Sequence, residues 1–274
     1  MYLKKYLMTI AAALCMLPLS AINPQNSKMK ELNVKKVSVA NIPVESVPAL
    51  LDEEKVAFQP VNTVNWAAFP YAPSVEFRIA HTEDAILLHF KVREASVRAV
   101  AGHDNGPVWE DACVEFFSVP AGDGVYYNME CNCAGTLLIG AGAGRGNRQH
   151  APQEVLDKVQ RWASLGREAF DERVGECAWE VALVIPYSAF FLHDITSLDG
   201  KTLRANFYKC GDKLQTPHFL SWNPIGLEKP NFHCPEFFRH PAFRVVVEQK
   251  VTQPALTTIT VFLKLPIRRP SRGE

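Results

Sequence analysis

Acidic and amide side chains point to one face in several strand-like segments. In CVEFFSV (113–119), Glu115 shares a face with Cys113 and Phe117, because alternate residues of a strand point to the same side. A carboxylate on such a face must be solvated, paired or functional. Two further segments align polar side chains on one face, and these are Tyr126, Asn128, Glu130 and Asn132 in YYNMECN and Arg204, Asn206 and Tyr208 in LRANFYKC.

This inventory of carboxylate, amide and guanidinium groups suits a saccharide, whose hydroxyls donate and accept several directional hydrogen bonds. Trp109, six residues before Glu115, and Trp222 offer flat indole surfaces for the apolar faces of sugar rings. The alternative interpretations are a solvated outer sheet face for the polar residues and ordinary core positions for the tryptophans. Composition leaves these alternatives open.

Two other chemistries are compatible with the same residues. A glycoside hydrolase needs two carboxylates about 5–10 Å apart, for which Glu115, Glu130 and Asp111 are candidates. A haem-binding domain needs a pair of axial ligands, which Met129 with His218 or His233 could supply. The hydrolase and the haem domain are therefore kept as alternatives to a non-catalytic binding protein.

Several familiar sites are not predicted. GAGAGRGN (140–147) lacks both the dinucleotide-binding spacing and a GK[ST] ending, and no GxSxG elbow, CxxC pair or HExxH motif occurs, so no nucleotide cradle, serine nucleophile or metal site is expected. The formal net charge is zero and no basic stripe is present, which argues against a nucleic-acid partner.

The first 21 residues have the pattern of a secretory signal peptide. Lys4 and Lys5 precede a short apolar run that is too short to span a bilayer and closes on small residues. We therefore expect an exported protein, periplasmic, secreted or at the cell surface, with lipid anchoring at Cys15 left open. Six cysteines remain after cleavage, and they are interpreted as buried small hydrophobes, although an oxidising compartment also permits disulfides.

The rest of the chain reads as short strands separated by turn signals. Residues 22–45 are a polar leader, 46–249 a single domain, and 250–274 a tail of undecided structure. A helix is predicted over 152–162, from the apolar spacing after Pro152. Many short strands favour an antiparallel β-sandwich of the jelly-roll type, and the predicted segments are 75–80, 85–94, 112–119, 125–133, 177–186, 203–210, 218–222 and 242–249.

A family resemblance covers about residues 45–248. The motifs VWEDACVEFF, YYNMECN, WEVALVIPYSAF, RANFYKCGD, PHFLSWNPI and PNFHCPEFF resemble the carbohydrate-binding module family 9-like proteins, within the wider DOMON-like group of β-sandwiches. Within that family, these motifs resemble a subset that is typical of exported proteins of polysaccharide-degrading Bacteroidetes. The resemblance implies a sandwich that binds a glycan end or small saccharide and works beside polysaccharide-degrading enzymes.

The resemblance also implies roles for particular residues. In such modules two tryptophans clamp a terminal sugar while a Glu, an Arg and an Asn bind its hydroxyls. Trp109 and Glu115 match the first Trp and the Glu, Trp222 the second Trp, and Asn206 and Arg145 the Asn and the Arg. With Asn128, which aligns with Glu130, these form the predicted ligand-binding set. No cofactor is expected, although a structural calcium ion occurs in the family.

Overall fold

The computed structural model describes residues 30–238 and the backbone of 243–246. The predicted signal peptide and the 250–274 tail lie outside the described residues. The elements in chain order are β1 Asn33–Lys36, α1 Val47–Glu53, β2 Gln59–Pro60, β3 Thr63–Val64, β4 Ser74–His81, β5 Ala85–Ala99, β6 Cys113–Val119, β7 Tyr126–Asn132, β8 Leu137–Gly142, β9 Arg148–His150, α2 Gln153–Leu156, β10 Gln160–Ala163, β11 Phe170–Pro186, β12 Thr202–Cys210, β13 Phe219–Ser221 and β14 Phe243–Val246.

The strands form two layers. The first sheet has the order β10-β11-β5-β4-β1-β14, and the second has the order β12-β6-β7-β8-β9, with β13 pairing on the far side of β12. The layers join because the first residues of β12 also pair with β14. The antiparallel β-sandwich predicted from the sequence is confirmed, with β1 adding parallel pairs to β4 and β14.

The main core lies between the two sheets. Phe77 of β4 stacks on Phe207 of β12 with ring centroids 3.6 Å apart, and Phe207 also packs against Phe116 of β6. These rings come from opposite layers, so the inner faces interdigitate as in other sandwiches. Burying such large apolar surfaces is the main stabilising contribution to the fold.

The outer face of the second sheet is also covered. Phe117, Tyr126 and Tyr208 point away from the main core and pack with Phe232 and Phe238 of the segment that follows β13. The strands β6, β7 and β8 of the second sheet are therefore buried on both faces. This covering leaves one cleft open on the outer face, and that cleft is the candidate site.

Three stretches differ from the sequence-based expectations. The helix predicted over 152–162 is wrong beyond its first turn, because only Gln153–Leu156 is helical and 160–163 pairs as β10 with the edge of β11. An isolated helix of that length is marginal, whereas pairing satisfies its backbone groups on the sheet edge. The expected leader contributes β1, and α1 follows it with Val47 and Leu51 buried. All six cysteines from Cys113 to Cys234 have free thiols, and five of them are buried.

Candidate functional site

The floor of the cleft is set by strand register. Glu115 of β6 lies directly opposite Glu130 of β7 on one side and Tyr208 of β12 on the other. Opposite residues of an antiparallel pair project from the same face, with Cβ atoms about 5 Å apart. The register therefore places two carboxyl groups side by side on the outer face of the second sheet.

Both floor carboxyls are almost fully buried. Glu115 and Glu130 are each 3% exposed. The Cys210 thiol donates to Glu115 Oε1 at 3.1 Å, and Asn128 Nδ2 donates to Glu130 Oε1 at 2.9 Å. Among the described residues, the Oε2 atoms of both glutamates have no hydrogen-bond partner.

Burial raises the pKa of both floor carboxyls. Loss of water around the charged form is the largest cause for each, and for Glu115 the neighbouring charge of Glu130 raises the pKa further. The amide of Asn128 acts in the opposite direction on Glu130. A neutral carboxyl both donates and accepts hydrogen bonds, as a sugar hydroxyl does.

Trp109 forms one wall of the cleft. It lies in the 3₁₀ turn Val108–Glu110, which is anchored by the buried Val108, and its side chain is 38% exposed. The backbone N–H of Asp212 donates to the Trp109 carbonyl at 3.2 Å, which ties the turn to the end of β12. An exposed indole held on a fixed turn is a ready stacking surface.

The other walls are basic on one side and aromatic on the other. Arg145 and Arg148 belong to the turn and strand after β8, and Arg148 Nε donates to the Arg145 carbonyl at 3.2 Å. Phe219 and Phe232 pack edge-to-face across from them. The cleft measures about 220 Å³ and is lined by Trp109, Glu115, Glu130, Leu138, Arg145, Arg148, His150, Cys210, Asp212, Phe219, Pro230, Asn231, Phe232 and His233.

The glycine-dense segment makes room for this arrangement. It forms β8 rather than a phosphate loop, and a Cβ at Gly140 would come within 2.7 Å of the Asn128 side chain. A Cβ at Gly142 would meet the Asn147 carbonyl at 2.3 Å. Glycine at these positions lets Asn128 support Glu130 and lets the turn carrying Arg145 fold back against the strand.

Three of the six predicted ligand-binding residues line the cleft: Trp109, Glu115 and Arg145. Asn128 does not line it, because its side chain is fully buried beneath Glu130. The structure assigns Asn128 a supporting position instead.

The prediction for Trp222 is wrong. Its side chain is fully buried in the main core, where the indole meets Phe77 and Phe207 edge-to-face at 5.8 and 5.6 Å. The backbone N–H of Trp222 donates to the Phe207 carbonyl, so the chain continues along β12 and the indole points to the inner face. Phe219 and Phe232 supply further aromatic side chains that line the cleft with Trp109.

The prediction for Asn206 is also wrong. Its Nδ2 donates to the Asn223 carbonyl at 3.0 Å, and its Oδ1 accepts from the backbone N–H groups of Asn223 at 2.8 Å and Phe207 at 3.0 Å. These bonds use the amide to hold the loop after β13. A fully buried Asn206 with these partners is not available to a ligand.

The residues proposed for the other chemistries come together only in part, because Glu115 and Glu130 share the cleft floor whereas Asp111 does not line the cleft. Asp111 accepts hydrogen bonds from the backbone N–H groups of Val100 and Ala101 and from Asn132, so its carboxylate organises a loop. Met129 packs in the main core, whereas His233 bonds to Tyr126 on the outer face. The two cannot face one haem iron. His218 is bonded to Lys209 and to the Thr216 carbonyl and is likewise buried.

Sequence reasoning missed several lining residues. Phe219, Phe232, Arg148, His150, Asp212 and Asn231 line the cleft but are not among the predicted ligand-binding residues. Glu130 lies on the expected strand face but is not in the predicted ligand-binding set either. The missing information was the pairing register, which puts Glu130 opposite Glu115.

Within residues 30–238 and 243–246, no helix is long and apolar enough to cross a bilayer. The structure describes none of the residues before 30.

The family model for carbohydrate-binding family 9 matches residues 45–243. A crystal structure of a candidate carbohydrate-binding protein from Bacteroides uniformis is 64% identical and has a TM-score of 0.75, with 77% of this chain and 97% of that chain covered.

More distant structures also match. A family 9 carbohydrate-binding module from Caldicellulosiruptor kristjanssonii in complex with glucose is 10% identical, with a TM-score of 0.48 over 80% of this chain and 100% of that chain. The cellotriose complex of a family 9 module from the same organism is 10% identical, with a TM-score of 0.45 over 81% and 98%. No curated protein shows significant similarity. Because the family model spans most of the sequence, the chain belongs to carbohydrate-binding family 9.

Proposed function

We propose that the cleft binds a saccharide, with one sugar ring stacked on Trp109 and its hydroxyls bonded to the floor carboxyls and to Arg145. The observation that carries this proposal is that an exposed indole lines the same cleft as Glu115 and Glu130. A flat apolar surface beside several directional polar groups matches the two-sided chemistry of a sugar ring. Membership of a carbohydrate-binding family supports the same conclusion.

The size of the cleft favours a chain end or a small saccharide. A volume of about 220 Å³ lies below the usual range of small-molecule sites, which begins at about 300 Å³, so the cleft encloses only a small part of a glycan and leaves the rest in solvent. The buried floor closes the inner end of the cleft, as expected for a site that receives a terminus.

We further propose that binding is not followed by hydrolysis. Glycosidases place two carboxyls on opposite sides of the scissile bond, with one of them ionised as nucleophile or base. Glu115 and Glu130 instead lie side by side on one floor, and burial disfavours the ionised form of both. A screen for reducing-sugar release from plant and host glycans checks this point, and activity that disappears in Glu130→Gln would refute it.

The cellular setting is also a proposal. The signal-like residues 1–21 support export to the periplasm or cell surface, where the protein would act beside polysaccharide-degrading enzymes. The ligand would then be a glycan or one of its degradation products.

Retention of the mature chain on immobilised glycans, followed by calorimetric titration with the matching oligosaccharide, tests the proposed function. We expect Trp109→Ala to abolish retention without unfolding the domain, because the side chain is partly exposed and outside the main core. Trp162→Ala is the matched control, since Trp162 is partly buried on the far edge of the first sheet. Unchanged retention in Trp109→Ala, with the fold verified by circular dichroism, would overturn the assignment.

A further inference from the structure

Two cysteines and a glutamate converge at the inner end of the cleft. Cys113 of β6 and Cys210 of β12 are direct partners in the strand ladder, and Glu115 follows two residues after Cys113 on the same face. The two Sγ atoms and a carboxylate oxygen of Glu115 all lie within 4.8 Å of one another. Register brings them together, which is why no metal-binding motif is visible in the sequence.

We propose that Cys113, Cys210 and Glu115 bind a thiophilic divalent cation of the Zn²⁺ or Cd²⁺ class. Thiolate sulfur and carboxylate oxygen are established zinc ligands, and thiolates select against hard cations. Ca²⁺ and Mg²⁺ prefer a shell made of oxygen alone, so two sulfurs disfavour them here.

An unsatisfied polar atom provides independent support for a ligand at this position. Glu115 Oε1 accepts from the Cys210 thiol at 3.1 Å, but Glu115 Oε2 is buried and has no partner among the described residues. A buried carboxylate oxygen without a partner is costly and calls for a missing group. A cation beside the two sulfurs would satisfy it.

The site is accessible from solvent and leaves room for a further ligand. Cys210 and Glu115 both line the cleft, so an ion can enter from that side. Three protein ligands with a fourth position open to solvent is the arrangement of zinc sites that exchange a ligand. The carbonyl oxygen of Trp109 lies 3.5 Å from Cys210 Sγ and is a nearby atom that could ligate the ion.

The burial of the ligands predicts the order of metal preference. All three side chains are at most 3% exposed, so an ion that binds between them must give up most of its hydration, which is costly. A metal with strong thiolate affinity offsets that cost, and a hard cation does not. We therefore expect Cd²⁺ and Zn²⁺ to bind and Mg²⁺ and Ca²⁺ not to compete.

Cobalt titration of the reduced mature chain tests the site without any saccharide, so its result is independent of the proposed function. We expect one equivalent of Co²⁺ to produce sulfur-to-cobalt charge-transfer absorption, which Zn²⁺ then removes. Cys113→Ser and Cys210→Ser should each lose the band, and Glu115→Gln should weaken binding at least tenfold. Cys177→Ser is the matched control and should keep the band, because Cys177 is a half-buried thiol on β11 in the other sheet.

Alkylation mapping keeps the test decisive if a serine variant fails to fold. Zn²⁺ should protect Cys113 and Cys210 of the wild-type protein from a thiol reagent, while the labelling of the other four described cysteines is unchanged. Absence of charge-transfer absorption in the wild type would overturn the proposal. Persistence of the band in both folded serine variants, or protection at Cys131, Cys133 or Cys234 instead, would do so as well.

Discussion

Glu115 and Glu130 lie directly opposite one another on β6 and β7, and both carboxyl groups are buried at the floor of a cleft. Cross-strand pairing of two acids inside a protein is unfavourable when both are ionised. Asn128 and Cys210 each satisfy one oxygen of the pair. The two remaining oxygens, Glu115 Oε2 and Glu130 Oε2, have no hydrogen-bond partner among the described residues.

The Glu130 carboxyl should contribute directly to saccharide affinity. A hydrogen bond to a neutral group contributes about 0.5–1.5 kcal/mol, so Glu130→Ala is expected to weaken binding by about two- to tenfold in calorimetric titration. Glu76→Ala is the control, because Glu76 lies on β4 of the other sheet, away from the cleft. Equal affinities of Glu130→Ala and wild type would place the ligand elsewhere.

Trp222 should matter for stability rather than for binding. Truncating an aromatic side chain in a packed core typically costs about 3–5 kcal/mol, so Trp222→Ala should lower the free energy of unfolding by that amount. Trp222→Phe keeps part of the contact with Phe77 and Phe207 and should cost less. Denaturant titration measures both. A folded Trp222→Ala protein with normal stability but no glycan retention would contradict the core assignment.

The buried ion pair that links the sheets gives a third prediction. Lys209 Nζ of β12 lies 2.9 Å from Glu94 Oε2 of β5, both side chains are at most 1% exposed, and Trp179 Nε1 donates to Glu94 at 2.6 Å. Removing one partner of such a pair leaves an uncompensated charge, so Lys209→Met should cost about 3–5 kcal/mol in denaturant unfolding.

The double variant separates charge from packing in this pair. Combining Lys209→Met with Glu94→Gln removes both charges, and it should recover a large part of the stability lost in Lys209→Met. Strict additivity of the two single substitutions would show that Lys209 and Glu94 do not interact energetically.

His89 should make the protein sensitive to acid. Its Nδ1 accepts from Arg78 Nε at 3.1 Å and its Nε2 contacts Glu180 Oε2 at 2.8 Å, so the neutral ring fits its neighbours. The pKa of His89 is lowered to about 4. Burial is the largest cause, and the positive charge of Arg78 acts in the same direction, whereas the bond to Glu180 raises the pKa.

The sign of the effect follows from the lowered pKa. Above pH 6.5 the ring is neutral in both states, whereas between pH 6.5 and 4 the unfolded chain binds the proton first and the folded state loses stability. The loss from His89 is on the order of 3 kcal/mol once pH reaches 4. Glu115 and Glu130 have raised pKa values and therefore stabilise the folded state as the pH falls. The effect of His89 is therefore measured as the difference between the wild type and a His89 variant. His89→Gln should flatten the fall in unfolding free energy from pH 6.5 to 4, and parallel wild-type and variant profiles would disprove the effect.

The strands were predictable because their signal is local. Alternation placed Glu115, Asn128 and Glu130 on the correct faces. The resemblance to the carbohydrate-binding family placed Trp109 and Glu115 at one site, and both line the cleft. The helix prediction failed where the edge of β11 competes for the backbone of 160–163, which is a tertiary effect absent from local periodicity.

The aromatic partner of Trp109 was not predictable for a similar reason. Trp222 and Phe219 are three residues apart, and which of them enters the core depends on how the chain leaves β13. That path is set by the bonds between Asn206 and Asn223, which join residues 17 positions apart. Residue type favoured Trp222 as the aromatic residue of the cleft. The bonds between Asn206 and Asn223 instead direct Trp222 into the core and leave Phe219 in the cleft.

The floor of the cleft and the core of the sandwich share the same strands, because β6, β7 and β12 carry one set of side chains on each face. A substitution on the floor therefore disturbs the layer beneath it. Diversification of sugar preference among related proteins should accumulate in the turns Val108–Glu110 and Arg145–Asn147 and leave the strands unchanged. Engineering a new specificity should begin at those two turns.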